Sequence, residues 1–108
     1  MRRLLISVTF IIWVAAAPSP VPAGDEVAKG RQLAAALCAQ CHLNEGQGEK
    51  QGPMGVPGFV AVANRPDQTL DGIVAWLKSV PPMMPNHNLT QDEMFALAAY
   101  IMSLRDER

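Results

Sequence analysis

The sequence predicts an all-α domain of three principal helices joined by glycine- and proline-rich loops. Three observations predict it. Apolar residues recur at helical spacing in three separate stretches, residues 25–41, residues 69–79 and the residues after Thr90. Between them lie Gly46, Gly48, Gly52, Gly55 and Gly58, with Pro53, Pro57, Pro66 and the Pro81-Pro82 pair. No run alternates apolar and polar residues long enough to form a half-buried strand.

The chain opens with Met1-Arg2-Arg3, then an uncharged run over residues 4–17, then Pro18, Pro20 and Pro22 and a small-residue site at Val21-Pro22-Ala23. This is the three-part layout of a secretory signal peptide. The run is shorter than the ~20 apolar residues that span a bilayer, so a cleaved signal is favoured over an anchor and no lasting membrane insertion is expected. A cut at Ala17 would leave Pro18 next to the scissile bond, which blocks the peptidase. The expected division is therefore a signal over residues 1–23 and a domain over residues 24–108.

The first helix is expected over residues 25–41, capped by Gly24 or Asp25, with Val27, Ala34 and Leu37 on its apolar face. Gly30 inside it costs about 1 kcal/mol against alanine, which calls for a packing reason. Residues 44–58 read as a loop, and residues 59–64 as a short helix stopped before Pro66. Thr69 opens the next helix, where Leu70, Ile73, Val74 and Leu77 make the stripe and Trp76 stands beside it. Pro81-Pro82 ends it. Thr90-Gln91-Asp92-Glu93 is a capping box, and Met94, Leu97, Ala98, Ile101 and Leu104 follow on one face. Arg105 suits the negative end of that helix.

Composition sets the class. Hydrophobic residues are 49% and charged residues 18% of 108, so the chain is globular rather than disordered. The net charge is -1 with no Lys/Arg block, which excludes a nucleic-acid binder built on phosphate contacts. Removing Arg2 and Arg3 from the 9 basic and 10 acidic residues leaves a domain charge of -3. A domain this small often recruits a disulfide, metal or cofactor to complete its core.

Both cysteines lie in Cys38-Ala39-Gln40-Cys41-His42. C-x-x-C-H is the attachment signature of c-type haem. Cysteines three apart at a helix end share one side, so both thiols can reach the two vinyl groups of one porphyrin. The adjacent histidine then gives its imidazole to the iron. Three other readings compete. A disulfide would close a very short loop and leave His42 unexplained. A thioredoxin-type redox pair wants a βαβ setting that is absent. Zinc held by Cys38, Cys41, His42 and His87 would need adjacent residues at two tetrahedral corners.

With these elements in order, the chain resembles a small monohaem class I cytochrome c of the exported bacterial kind. The resemblance covers nearly all of residues 24–104. It rests on Gly30 eight residues before Cys38, on the Cys38–His42 motif, on Pro57-Gly58-Phe59 with Val62-Ala63, and on Met84-Pro85 followed by Thr90, Glu93, Tyr100 and Leu104. It implies an all-α fold wrapped round one thioether-linked haem c, with the terminal helices crossing at Gly30 against an aromatic, for which Tyr100 fits. It further implies that a proline carbonyl accepts from His42 Nδ1–H, for which Pro57, in one segment with Phe59, is a better candidate than the loop-stiffening Pro53, and that this bond fixes the tautomer. Trp76 either shields a haem edge, donates to a propionate, or simply packs on its helix.

In related cytochromes proline follows the sixth ligand and a Ser/Thr helix cap stands six residues on. Met84 meets both conditions through Pro85 and Thr90, with Met83 and His87 as the alternatives. Asn86 or Asn88 is available to donate to the ligating sulfur, or to shape the loop. The resemblance implies a periplasmic electron carrier, not an enzyme, monomeric, passing single electrons to transient redox partner proteins. Docking is expected on apolar residues around Met54, Pro82 and Met83. A haem-containing enzyme subunit and a gas-binding module with a labile sixth ligand are the rival functions.

Overall fold

The computed structural model describes residues 8–13, 23–44, 46, 48 and 50–106 of the 108-residue chain. Its helices are α1 (Ala23–Leu37), α2 (Phe59–Ala63), α3 (Leu70–Lys78) and α4 (Gln91–Ser103), with one 3-10 turn at Pro53–Gly55. No strand occurs among the described residues; an isolated bridge pairs Gln51 with Pro57. The all-α class holds, and the short helix after Gly58 makes four.

The caps explain where α3 and α4 start. The Thr69 hydroxyl accepts from Gly72 N–H at 2.9 Å. At α4 the box closes in both directions: Glu93 N–H donates to Thr90 Oγ1 at 3.2 Å and Thr90 N–H donates to Glu93 Oε1 at 2.9 Å. The bond from the Thr90 backbone holds the Glu93 carboxyl below its usual range.

The first helix departs from expectation. It starts at Ala23, so Gly24 and Asp25 lie in its first turn, and it stops at Leu37 rather than running through Cys41. Cys38 N–H still donates to the Ala34 carbonyl at 2.9 Å, but Ala39 N–H reaches the same oxygen at 3.0 Å, five residues back. That shared carbonyl ends the regular ladder. The Cys38–His42 motif then forms a turn of its own, with Cys41 and His42 N–H groups both donating to the Cys38 carbonyl at 3.1 and 2.9 Å.

Helix α4 packs most extensively on α1, then on α3 and α2. Ala34, Leu97, Tyr100 and Leu104 fill the α1–α4 seam and Phe59, Val60 and Ala63 close it from α2. The helices touch at Gly30. A Cβ there would overlap the Ala96 carbonyl oxygen and lie 2.7 Å from Tyr100 Cβ. Only a residue without a side chain lets the two backbones come this close. Tyr100 is fully buried, and the Arg31 guanidinium sits 5.6 Å over its ring.

A carbonyl cannot rotate out of the way, so Gly30→Ala must push α1 from α4. The expected cost is about 3 kcal/mol. Thermal denaturation of the haem-loaded protein should show the midpoint falling by roughly 12–24 °C. Gly24→Ala is the control, since nothing lies within 4 Å of its Cβ position.

Arg105 stands just past the end of α4 and makes contacts the sequence did not suggest. Its Nη1 donates to the Gln68 carbonyl at 3.1 Å and the Ala63 carbonyl at 3.5 Å, and Asp106 N–H donates to Asn64 Oδ1 at 2.8 Å. The end of the chain is thereby tied to the turn between α2 and α3. The signal-peptide reading falls mostly outside the described residues. Residues 8–13 carry no secondary structure, and no helix among the described residues is long and apolar enough to cross a membrane.

Candidate haem-binding site

The turn after α1, the α2 segment, α3, residues 81–87 and the inner face of α4 enclose a cleft of about 610 Å³. That lies in the range of small-molecule and cofactor sites. Its wall is mostly apolar, with Val62, Ile73, Leu77, Leu97 and Ile101 among the lining residues. Cys38, Cys41 and His42 stand on one wall, and Met84 and His87 also line the cleft. Both cysteines are free thiols, Cys38 half-buried and Cys41 exposed. Burial pushes the Cys38 thiol above its usual pKa.

His42 is fixed on two sides. Its Nδ1–H donates to the Pro57 carbonyl at 2.6 Å, which leaves Nε2 as the nitrogen for a metal. Phe59 stacks on the imidazole with centroids 5.0 Å apart and planes 9° apart. Phe59 in turn meets Tyr100 edge-on at 6.1 Å and 78°. The Phe59 N–H donates to the Leu43 carbonyl at 2.8 Å, so the backbone next to His42 holds the ring that steadies it. Gly52 has a matching role. A Cβ there would overlap the Cys41 carbonyl oxygen, so the glycine-rich loop presses its backbone directly against the motif.

The structure separates the two candidate methionines. Met84 is half-buried on the cleft wall, whereas Met83 is 94% exposed at the cleft mouth with φ 71°. Met54 (88% exposed) and Trp76 (57% exposed) stand at the same rim. Asn86 Oδ1 accepts from Asn88 N–H at 2.9 Å, a bond within the loop. Arg65, which sequence reasoning missed, is the one Lys, Arg, Asp or Glu among the lining residues. Its place after α2 gave no signal, because nothing in Asn64-Arg65-Pro66 marks that turn as facing a ligand.

These residues fit a covalently held haem. An apolar cleft of this size, lined by two free thiols and a histidine with its tautomer fixed, suits a covalently attached c-type haem, and the Met84 thioether and His87 imidazole line the same cleft as further candidate donors. They do not fit zinc, since no three His, Cys, Asp or Glu side chains gather as a cage among the described residues.

Residues 25–101 match the family described as cytochrome C oxidase, cbb3-type, subunit III. The chain belongs to this cytochrome c family. The cytochrome is also similar to cytochrome c-552 of Bradyrhizobium diazoefficiens, 35% identical over 105 residues that cover 97% of this chain and 99% of the relative. No solved structure matches. As a member of this family the cytochrome is a haem electron-transfer protein carrying haem c, and Cys38 and Cys41 have the attachment spacing.

Proposed function

We propose that this cytochrome is an exported, monomeric electron carrier whose single haem c is held by Cys38 and Cys41 and ligated by His42 and Met84. The observation that carries the reading is that both residues line one cleft, His42 with Nδ1 committed to the Pro57 carbonyl and Met84 half-buried.

When bound, the haem supplies a one-electron ferric/ferrous couple. His42 offers Nε2 as a neutral donor, made more basic by the bond from Nδ1–H to Pro57. Phe59 keeps the imidazole from turning. Met84 supplies a soft sulfur that favours the reduced state and raises the potential above that of a second imidazole. His42 and Met84 would together hold the iron and keep small molecules from it. Arg65 is the cation available to a propionate, and Trp76 offers its indole N–H from the rim.

Met54, Trp76, Pro82 and Met83 surround the mouth with apolar surface, suited to a small, short-lived contact with a redox partner. The basic head and short apolar run at the N-terminus support export to the periplasm and removal of residues 1–23. The family's description raises a second reading, a subunit of an oxidase.

One preparation tests these together. The purified periplasmic protein should begin at Gly24 by mass spectrometry, stain for haem after denaturing electrophoresis and show a sulfur-to-iron band when oxidised. A high-spin spectrum with fast CO binding would instead favour a gas-binding module. Co-purification with a large stable partner would favour the oxidase subunit.

A further inference from the structure

Met84 and His87 both line the haem cleft, three residues apart. Met84 also lines a second cavity of about 260 Å³, together with Leu77, Val80, Leu89 and Met94. Met84 therefore stands, with Leu77, Pro81 and Pro85, between the two spaces, the smaller of which Lys78, Asn86 and Asn88 also line. The His87 imidazole is exposed, and it makes no hydrogen bond among the described residues.

The segment that carries both is strained and lightly tied. Val80, Met83 and Asn88 have φ of 46°, 71° and 51°. Positive φ is uncommon outside glycine and a true outlier for a β-branched residue such as Val80. Within residues 81–88 the hydrogen bonds are Met84 N–H to the Pro81 carbonyl at 3.2 Å and Asn88 N–H to Asn86 Oδ1 at 2.9 Å. Three residues span at most roughly 10 Å, so exchanging one side chain for the other at a common point needs the loop to shift, not α3 or α4 to open.

We propose that His87 is a second sixth-position ligand, taking the place of Met84 when the thioether withdraws into the smaller cavity. This rests on the reading that Met84 ligates. The exchange breaks one sulfur–iron bond and forms one nitrogen–iron bond through the lone pair of a neutral imidazole; no electron is transferred in it. Sulfur favours the reduced iron and imidazole the oxidised iron. The loop thus gives one chain two potentials, the higher with Met84 bound and the lower with His87 bound.

The test compares haem-loaded Met84→Ala, His87→Ala and the double variant by optical and electron paramagnetic resonance spectra of the oxidised proteins. Met84→Ala should lose the sulfur band yet stay low-spin with a two-imidazole signature. The double variant should be high-spin, and added imidazole should return it to low-spin, which shows that the cleft is intact. His87→Ala should keep the sulfur band. A Met84→Ala protein as high-spin as the double variant overturns the proposal while leaving Met84 as the ligand. So does a double variant that is low-spin before imidazole is added, because another side chain then fills the place. A Met84→Ala protein that retains the sulfur band overturns the Met84 reading, and the proposal with it.

Discussion

Replacing Cys38 and Cys41 together by alanine is expected to give a chain that keeps some helix but melts without a cooperative transition. The reason lies in the cleft. It occupies about 610 Å³ between α1, α2, α3 and α4, and its lining side chains belong to the same elements that make the core. At about 24 cal/mol per Å³ of unfilled cavity, leaving it empty would cost on the order of 15 kcal/mol. Even a third of that, for a cleft open to water on one side, is on the scale of the 5–15 kcal/mol that separates folded from unfolded domains. Circular dichroism and dye binding on the double variant measure the outcome: retained far-ultraviolet signal, lost near-ultraviolet signal and exposed apolar surface. A sharp, native-like melt without haem would show that the helices hold one another unaided.

Met84→Ala is expected to abolish the sulfur-to-iron band and to lower the reduction potential by a substantial part of the ~0.8 V range over which axial ligands move haem proteins. Pro81, Pro82 and Pro85 restrict the backbone on both sides of Met84, so the sulfur loses little entropy when it is held at the metal. Met83→Ala should leave the band in place, because that side chain is 94% exposed at the rim. Potentiometric titration of the two variants checks the assignment, and a band lost in Met83→Ala but kept in Met84→Ala would reverse it.

The parts of this protein that were legible in its sequence are those whose chemistry is local. Thr90 and Glu93 announce α4 because each satisfies the other's free N–H three residues away. Cys38, Cys41 and His42 announce the cofactor because the spacing answers to the porphyrin rather than to the rest of the fold. The end of α1 was not legible. No glycine or proline stops it at Leu37; the Ala34 carbonyl does so by accepting two N–H groups, and the apolar period runs on past that point. Arg65 and Arg105 were not legible either, since tertiary packing alone brings Arg65 to the cleft and Arg105 to the Ala63 and Gln68 carbonyls. The Arg105 contacts reach 37 and 42 residues back along the chain. For the same reason Gly52 read only as a loop residue, although its backbone is pressed against Cys41.

The backbone contact at Gly30 joins helices far apart in the sequence, α1 with Ala96 and Tyr100 of α4. A growing chain therefore has no partner for α1 until α4 has been made, and pairings this distant in sequence close slowly. A polypeptide passing through a membrane pore would travel as an open strand with nothing to unfold. Both thiols would stay within reach of whatever joins them to the porphyrin for as long as α4 lagged behind. If the chain is exported as proposed, attachment precedes closure, because α4 follows α1 in the sequence.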